Sequence, residues 1–222
     1  MVIKTTPQVL KRISVRWLPD EAYENTDTIA LNVGGYFLDL RVVIADQSLE
    51  WSRAGERKTV PGKDAATFQW TRIIDSLGST QTDEATFTSL PNGDDLESGI
   101  FVKDDQPTAY EEVWRDVTDD EAKRTPSWIV QSEDGSVIYG KVGSIFMGMR
   151  RDEQGRFEVR REDYDLSKQC WKPVFEGGTR AAQGLEPAED MVRLVEGPEE
   201  GRLADYVILG YARSPGPSAK TL

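Results

Sequence analysis

Apolar and polar residues alternate along most of this chain. Arg12-Ile13-Ser14-Val15-Arg16-Trp17-Leu18, Leu49-Glu50-Trp51-Ser52-Arg53 and Phe68-Gln69-Trp70-Thr71-Arg72-Ile73 keep a period of two. That period marks strands with one buried face. Ile29 to Ile44 is a long apolar run broken at Gly34-Gly35, which predicts two strands or one sharply bent strand, with the glycines read as a bulge. Further strands are expected at Ala85–Leu90, Gly99–Lys103, Tyr110–Val117, Trp128–Gln131, Ser136–Arg150, Arg156–Arg161, Met191–Glu196 and Tyr206–Arg213. Turn signals separate them, among them Pro61-Gly62, Asn92-Gly93, Asp134-Gly135 and Gly177-Gly178. Helical patterning is weak. One turn opened by Thr118 fits before Pro126, and a second short helix fits Glu186–Met191. The tail from Ser214 onward, rich in Pro and Gly, is expected to be disordered.

The pattern repeats. Val33-Gly34-Gly35-Tyr36-Phe37-Leu38-Asp39-Leu40-Arg41 matches Val142-Gly143-Ser144-Ile145-Phe146-Met147-Gly148-Met149-Arg150, 109 residues later (142 less 33). Leu49–Arg53 matches Phe157–Arg161 at a spacing of 108 (157 less 49). Each half then closes on an aromatic strand, Tyr110–Arg115 and Tyr206–Arg213. The expectation is an all-β chain of two tandem antiparallel β-barrels related by internal duplication, spanning residues 1–120 and 121–213, with a tail at 214–222. Closing each sheet removes its exposed edges.

Composition narrows the chemistry. The 222 residues include no histidine and one cysteine, Cys170. A Ser-His-Asp or Cys-His nucleophile is therefore impossible, as are His-ligated metals, an internal disulfide and a thiolate zinc site. Any acid or base must come from Asp, Glu, Tyr, Lys, the lone Cys or a bound water. With 27 Lys and Arg against 39 Asp and Glu, the net charge is −12, which argues against nucleic acid as a partner. No long apolar run or signal sequence is evident, so neither a membrane span nor secretion is expected. The single cysteine suits a reducing, cytoplasmic setting. No cofactor or metal motif is present. Paired acids such as Asp94-Asp95 and Asp104-Asp105 lack calcium-loop spacing.

Three strands carry candidate chemistry. Alternation places Phe68, Trp70, Arg72 and Ile74 on one face, and Leu49, Trp51 and Arg53 on another. Arginines two residues after a tryptophan on such a face read either as anion or carbonyl clamps or as structural ion pairs. Tyr110, Glu112, Trp114 and Asp116 share a third face. If that face points inward, Glu112 or Asp116 is the natural acid or base; the alternative is that both balance Arg41, Arg53 or Arg72. In the second half, Tyr139, Arg150, Trp171, Tyr206 and Tyr211 could line another pocket. Phe146, Met147 and Met149 read as core, and Cys170 as a small buried hydrophobe.

Glu50-Trp51-Ser52-Arg53-Ala54-Gly55, Tyr110-Glu111-Glu112-Val113-Trp114 and Gly135-Ser136-Val137-Ile138 with Gly143 and Gly148 resemble a fungal family. Its members are the casein-kinase-interacting proteins of yeasts and cyclase-like proteins encoded beside polyketide synthases, including aurovertin-pathway-type cyclases. The resemblance implies two lipocalin-like barrels. It also implies one of two roles. The first is a cofactor-independent cyclase or isomerase that folds a linear polyketide and closes a pyrone or lactone ring. Glu112 or Asp116 would then move the proton and Arg53 or Arg72 would hold the oxyanion, with Trp51, Trp70, Trp114, Tyr110, Phe68 and Arg41 lining the site. The second is a binding protein without catalysis, taking a small apolar ligand, a protein kinase or a second copy of itself. A barrel packed solid, without a cavity of about 300 Å³, would favour a purely structural role.

Overall fold

The computed structural model describes residues 7–63, 66–179, 184–197 and 205–213. Fourteen strands dominate them. The first eight are β1 (Gln8–Trp17), β2 (Thr26–Val33), β3 (Tyr36–Val43), β4 (Leu49–Thr59), β5 (Ala66–Asp75), β6 (Asp83–Ser89), β7 (Asp95–Lys103) and β8 (Gln106–Asp116). Each pairs antiparallel with the next, and β8 returns to β1, so the sheet closes into a barrel. A short 3-10 turn, Asp120–Lys123, capped by the Asp119 carboxylate rather than by Thr118, leads to the second half.

That half contains β9 (Ser127–Ser132), β10 (Val137–Val142), β11 (Ile145–Arg151), β12 (Phe157–Asp165), β13 (Cys170–Gly178), helix α1 (Ala188–Glu196) and β14 (Tyr206–Ala212). Its strands form one six-stranded sheet ordered β13-β12-β11-β10-β9-β14. The all-β architecture is as expected and the first half is a closed barrel. The second half differs from a closed barrel, because its sheet ends at β13 and β14. Its order nevertheless repeats β5-β4-β3-β2-β1-β8 of the barrel. Where the first half has the β6–β7 hairpin, the second has α1.

The 109-residue spacing survives as register. Asn32 pairs with Phe37, and Lys141 with Phe146; Leu31 pairs with Leu38, and Gly140 with Met147. The 108-residue spacing holds only at Leu49 and Phe157, because the β3–β4 ladder shifts between Arg41 and Val42. This bulge at Glu50 sends Leu49 outward while Trp51 and Arg53 face the barrel interior. A second shift, between Ala54 and Gly55 against β5, does the same to Ile74. Leu49 and Ile74 therefore do not share the faces that strict alternation assigned them. Gly34 and Gly35 form a two-residue hairpin turn rather than a bulge, with φ of 60° and 89°.

The two halves meet through the outer face of the barrel. Leu31, Leu38, Leu40, Val42, Ala54 and Ile74 pack with Ile129, Ile138, Met147, Met149, Phe157 and Val159 in one continuous core. The opposite face of the second sheet carries Trp128, Val130, Tyr139 and Phe146, and is covered by Leu185, Ala188 and Met191. Ala188, Met191, Val192 and Val195 lie at helical spacing on the buried stripe of α1. Met191–Glu196 is thus helix, not strand. β13 went unread because Pro173 and two glycines interrupt it, and Pro173 sits at a register shift on a sheet edge. The tail at 214–222 lies outside the described residues.

Candidate functional site

The barrel interior is layered. One layer is aromatic, with Phe37, Phe68, Trp70, Phe87 and Trp114 packed together. Beside it lies a layer of charged side chains. Arg12 Nη1 and Arg41 Nη1 both donate to Glu112 Oε1, at 2.6 and 3.0 Å. Arg12 also bonds Glu24 and Thr26. Arg41 and Arg53 share Asp39 Oδ2, at 3.1 and 3.3 Å. Arg53 also bonds Asp83, which in turn holds Arg72, and Arg72 reaches Asp75 at 3.3 Å. Asp75 accepts the Trp51 indole N–H at 3.1 Å, and the Trp51 ring lies under Arg53 with 4.2 Å to its centroid. Each buried charge here has a partner of opposite sign, which burial demands.

Glu97 is different. It stands on β7 opposite Glu112 on β8 and has no arginine within ion-pair distance among the described residues. Its Oε1 accepts the Tyr110 hydroxyl at 2.7 Å. Burial, then repulsion from Glu112, pushes its pKa up to about 7. Burial and the same two carboxylates push the Tyr110 phenol up strongly. Asp39 shows the opposite balance: burial pushes it up, but Arg41 and Arg53 overcome that and hold it below its ordinary value. Arg41 is likewise raised by Asp39 and Glu112 against the burial that lowers it. On the far side of the charged layer, Arg57 lies 4.0 Å from the Phe68 ring centroid, and burial lowers its pKa to about 10.

A cavity of about 230 Å³, smaller than the ~300 Å³ expected of a ligand pocket, opens on this layer at one end of the barrel. Glu97, Glu112, Arg12, Arg41, Arg53 and Tyr110 line it. Trp51 with Phe101, and Trp17 with Tyr110, add two aromatic pairs, each 5.8 Å between centroids. Exposed Tyr23 and Leu77 mark its mouth. A smaller hollow of about 30 Å³ lies on the other side of Arg53 and Glu97, lined by Trp70, Trp114, Arg57 and Asp39.

Sequence reasoning thus located part of the site. Arg41, Trp51, Arg53, Tyr110 and Glu112 do converge on the cavity. Arg72 is buried behind Trp51, bound to Asp75 and Asp83, and does not line it. Phe68, Trp70 and Trp114 belong to the aromatic layer, away from the larger cavity. Asp116 is corrected outright. It is exposed at the other end of β8, where it accepts from Gln8, Thr118 N and Thr118 Oγ1. Glu97 and Arg12 were missed. Glu97 precedes Gly99, where the strand was expected to begin, and a bulge between Arg12 and Ser14 brings Arg12 to the face of Val15 and Trp17, from which strict alternation separates it.

Of the second-half candidates, Tyr139, Trp171 and Tyr206 pack into the apolar cluster beside α1. Tyr139 and Phe146 are buried under α1, and Tyr139 Oη accepts Glu186 N at 2.8 Å. Tyr211 and Cys170 are exposed, so Cys170 is not a buried hydrophobe. Gly148, the counterpart of Asp39, leaves room for the Tyr139 ring, so no carboxylate stands at that position. Among the described residues no three carboxylate or thiol side chains are grouped to hold a metal ion, and no helix is long and apolar enough to cross a membrane.

A closed antiparallel barrel of eight strands, with an interior just wide enough for side chains and one small molecule, defines the structural class. Within that class, the chain belongs to the Protein HRI1 family, whose family model matches residues 8–203. It is similar in fold to the crystal structure of the uncharacterized protein YLR301w from Saccharomyces cerevisiae, with a TM-score of 0.73 and 15% identity over 93% of this chain and 99% of that one. No curated protein matches it. The expectation of a fungal barrel family holds at this coarser level.

Proposed function

We propose that the N-terminal barrel admits a small organic molecule to the cavity and that Glu97, backed by Tyr110, exchanges a proton with it. One observation carries this reading: a buried carboxyl, without an arginine partner among the described residues, faces the cavity opposite Glu112, where burial and that like charge raise its pKa. Glu97 therefore replaces Glu112 and Asp116 as the acid or base. Glu112 instead holds Arg12 and Arg41 in place.

The reaction class that suits these groups is cofactor-independent ring closure or isomerisation. In ring closure of a β-keto thioester, the Glu97 carboxylate takes the enol proton. The enol oxygen bonds to the thioester carbonyl carbon, Arg53 stabilises the oxyanion, and the thiolate leaves with the proton from Glu97. The cavity has room for about eight waters at ~30 Å³ each, so only the reacting end of a polyketide chain fits, with the remainder passing Tyr23 and Leu77 at the mouth. Binding without chemistry is the second reading, favoured by the arginines already satisfied by carboxylates. The test is incubation with a short linear poly-β-keto thioester. Faster lactone release by the native chain than by Glu97→Gln supports chemistry. Equal rates with and without protein, alongside measurable binding of the same thioester, leave only the second reading.

A further inference from the structure

Under the second reading, binding without chemistry, the lining of the cavity sets the shape and charge of the molecule that enters. Arg53 bears directly on this. Its Nε bonds Asp39 and its Nη1 bonds Asp83, but its Nη2 makes no hydrogen bond among the described residues. The residue lines both hollows, and the flat face of its guanidinium rests on Trp51. It is a fixed cation whose Nη2 has both of its N–H groups still to place. Around it stand Trp51, Phe101, Trp17 and Tyr110, whose rings suit a flat, conjugated body.

Charge balance points the same way. Arg12, Arg41, Arg53 and Arg72 are bonded to Glu24, Glu112, Asp39, Asp83 and Asp75, and buried Arg57 adds a fifth cation. Five arginines thus meet five carboxylates, and Glu97 is a sixth. These charges cancel when Glu97 carries its proton, so an incoming anion then meets one negative charge fewer than when Glu97 is ionised.

Resting on the reading of the cavity as a ligand site, we infer that its ligand is a planar conjugated monocarboxylate, gripped by Arg53 Nη2 and admitted while Glu97 is protonated. A neutral Glu97 also offers its O–H to the carboxylate, whereas an ionised one repels it. The titratable and charged groups that line the two hollows with Glu97 are Arg12 from β1, Asp39 and Arg41 from β3, Arg53 and Arg57 from β4, Asp83 from β6, and Tyr110 and Glu112 from β8, with exposed Tyr23 and Glu50 at the mouth. Of the carboxylates among these, Asp39, Asp83 and Glu112 are each bonded to two arginines.

Titration calorimetry and tryptophan fluorescence with trans-cinnamate, cinnamamide and cinnamyl alcohol test the inference on the full chain. Cinnamate is expected to bind at least ~10-fold tighter than either neutral analogue at pH 6. Its affinity should be flat below pH 7 and fall about tenfold per pH unit above it. Glu97→Gln should lose the pH dependence, so that its affinity for cinnamate changes by less than ~3-fold between pH 6 and 8. Arg53→Lys keeps a cation for Asp39 and Asp83 but removes Nη2, and should cost ~10-fold or more for cinnamate while leaving the neutral analogues unchanged. Equal affinity for acid, amide and alcohol overturns the ligand class and leaves the cavity reading standing. No binding by any of the three overturns both. A pH profile that persists in Glu97→Gln removes the role given to that proton.

Discussion

Glu97 and Glu112 face each other across β7 and β8, paired residue to residue, with both carboxyls turned into the barrel. Like charges directly opposite on one face destabilise a sheet. The barrel resolves the conflict unequally. Glu112 holds two arginines, and Glu97 holds a tyrosine hydroxyl and its own proton near neutrality.

This arrangement makes stability depend on pH. The Glu97 pKa is raised from 4.5 to about 7 in the folded chain. Between those values the native state keeps a proton that the unfolded chain has lost. The contribution of Glu97 therefore falls as pH rises through that window and is flat above it. Glu97→Gln removes the charge and keeps the shape. Relative to the native chain it should be about neutral in stability at pH 4.5 and more stable by up to about 3 kcal/mol at pH 8. Urea unfolding at the two pH values measures this, and an unchanged difference refutes it.

Glu112 and Asp116 were equal candidates on alternation alone, and the structure separates them. Glu112→Ala takes from buried Arg12 and Arg41 one of the two carboxylates that each holds, a loss of about 3 kcal/mol. Asp116→Asn changes an exposed turn acceptor and should cost no more than about 1 kcal/mol, with ligand binding unaffected. Guanidinium unfolding of both variants checks the contrast.

The limits of alternation explain what was readable. Period two gave the strand identities, the aromatic interior and the place of Trp51, Arg53 and Glu112, because each lies on a stretch without a register shift. It failed at three bulges. Those at Ile13, Glu50 and Ile73 turned Arg12, Leu49 and Ile74 to faces that counting by twos does not predict. The repeat was legible because Phe37 and Phe146, and Leu38 and Met147, keep their facing in both halves. The filling of the second half was not, since α1 lies in a segment with no counterpart in the first. The unpaired state of Glu97 could not be read either, as it depends on where five arginines point.

Gly34 and Gly210 hold the two halves in close approach. A Cβ at Gly210 would stand 2.4 Å from Val33 O, and one at Gly34 2.9 Å from Gly210 Cα, at a φ of +60°. Backbone atoms cannot yield as a flexible side chain does. Gly210→Ala should therefore push β14 off the β2–β3 hairpin and cost about 2 kcal/mol or more. Hydrogen exchange should show faster exchange along Tyr206–Ala212 with β1–β8 protection retained.

The repeat also predicts an energetic coupling. Gly140 occupies the position of Leu31, and the space its missing side chain leaves is taken by Leu38 from the other half: a Cβ there would meet Leu38 Cδ1 at 2.9 Å and Ile129 Cγ1 at 3.3 Å. In an open strand, Gly→Ala gains roughly 0.5–1 kcal/mol from backbone entropy. Here the clash reverses the sign, and Gly140→Ala should cost about 1–2 kcal/mol. Leu38→Ala alone empties a fully buried site and should cost about 2–5 kcal/mol. Together the new methyl moves into the space the leucine vacates, so the double variant should be at least about 1 kcal/mol more stable than the two losses added. A double-mutant cycle by urea unfolding measures that term. An additive result means that Leu38 does not fill the place of Gly140, and that the shared core is not built on this exchange of side chains between the repeats.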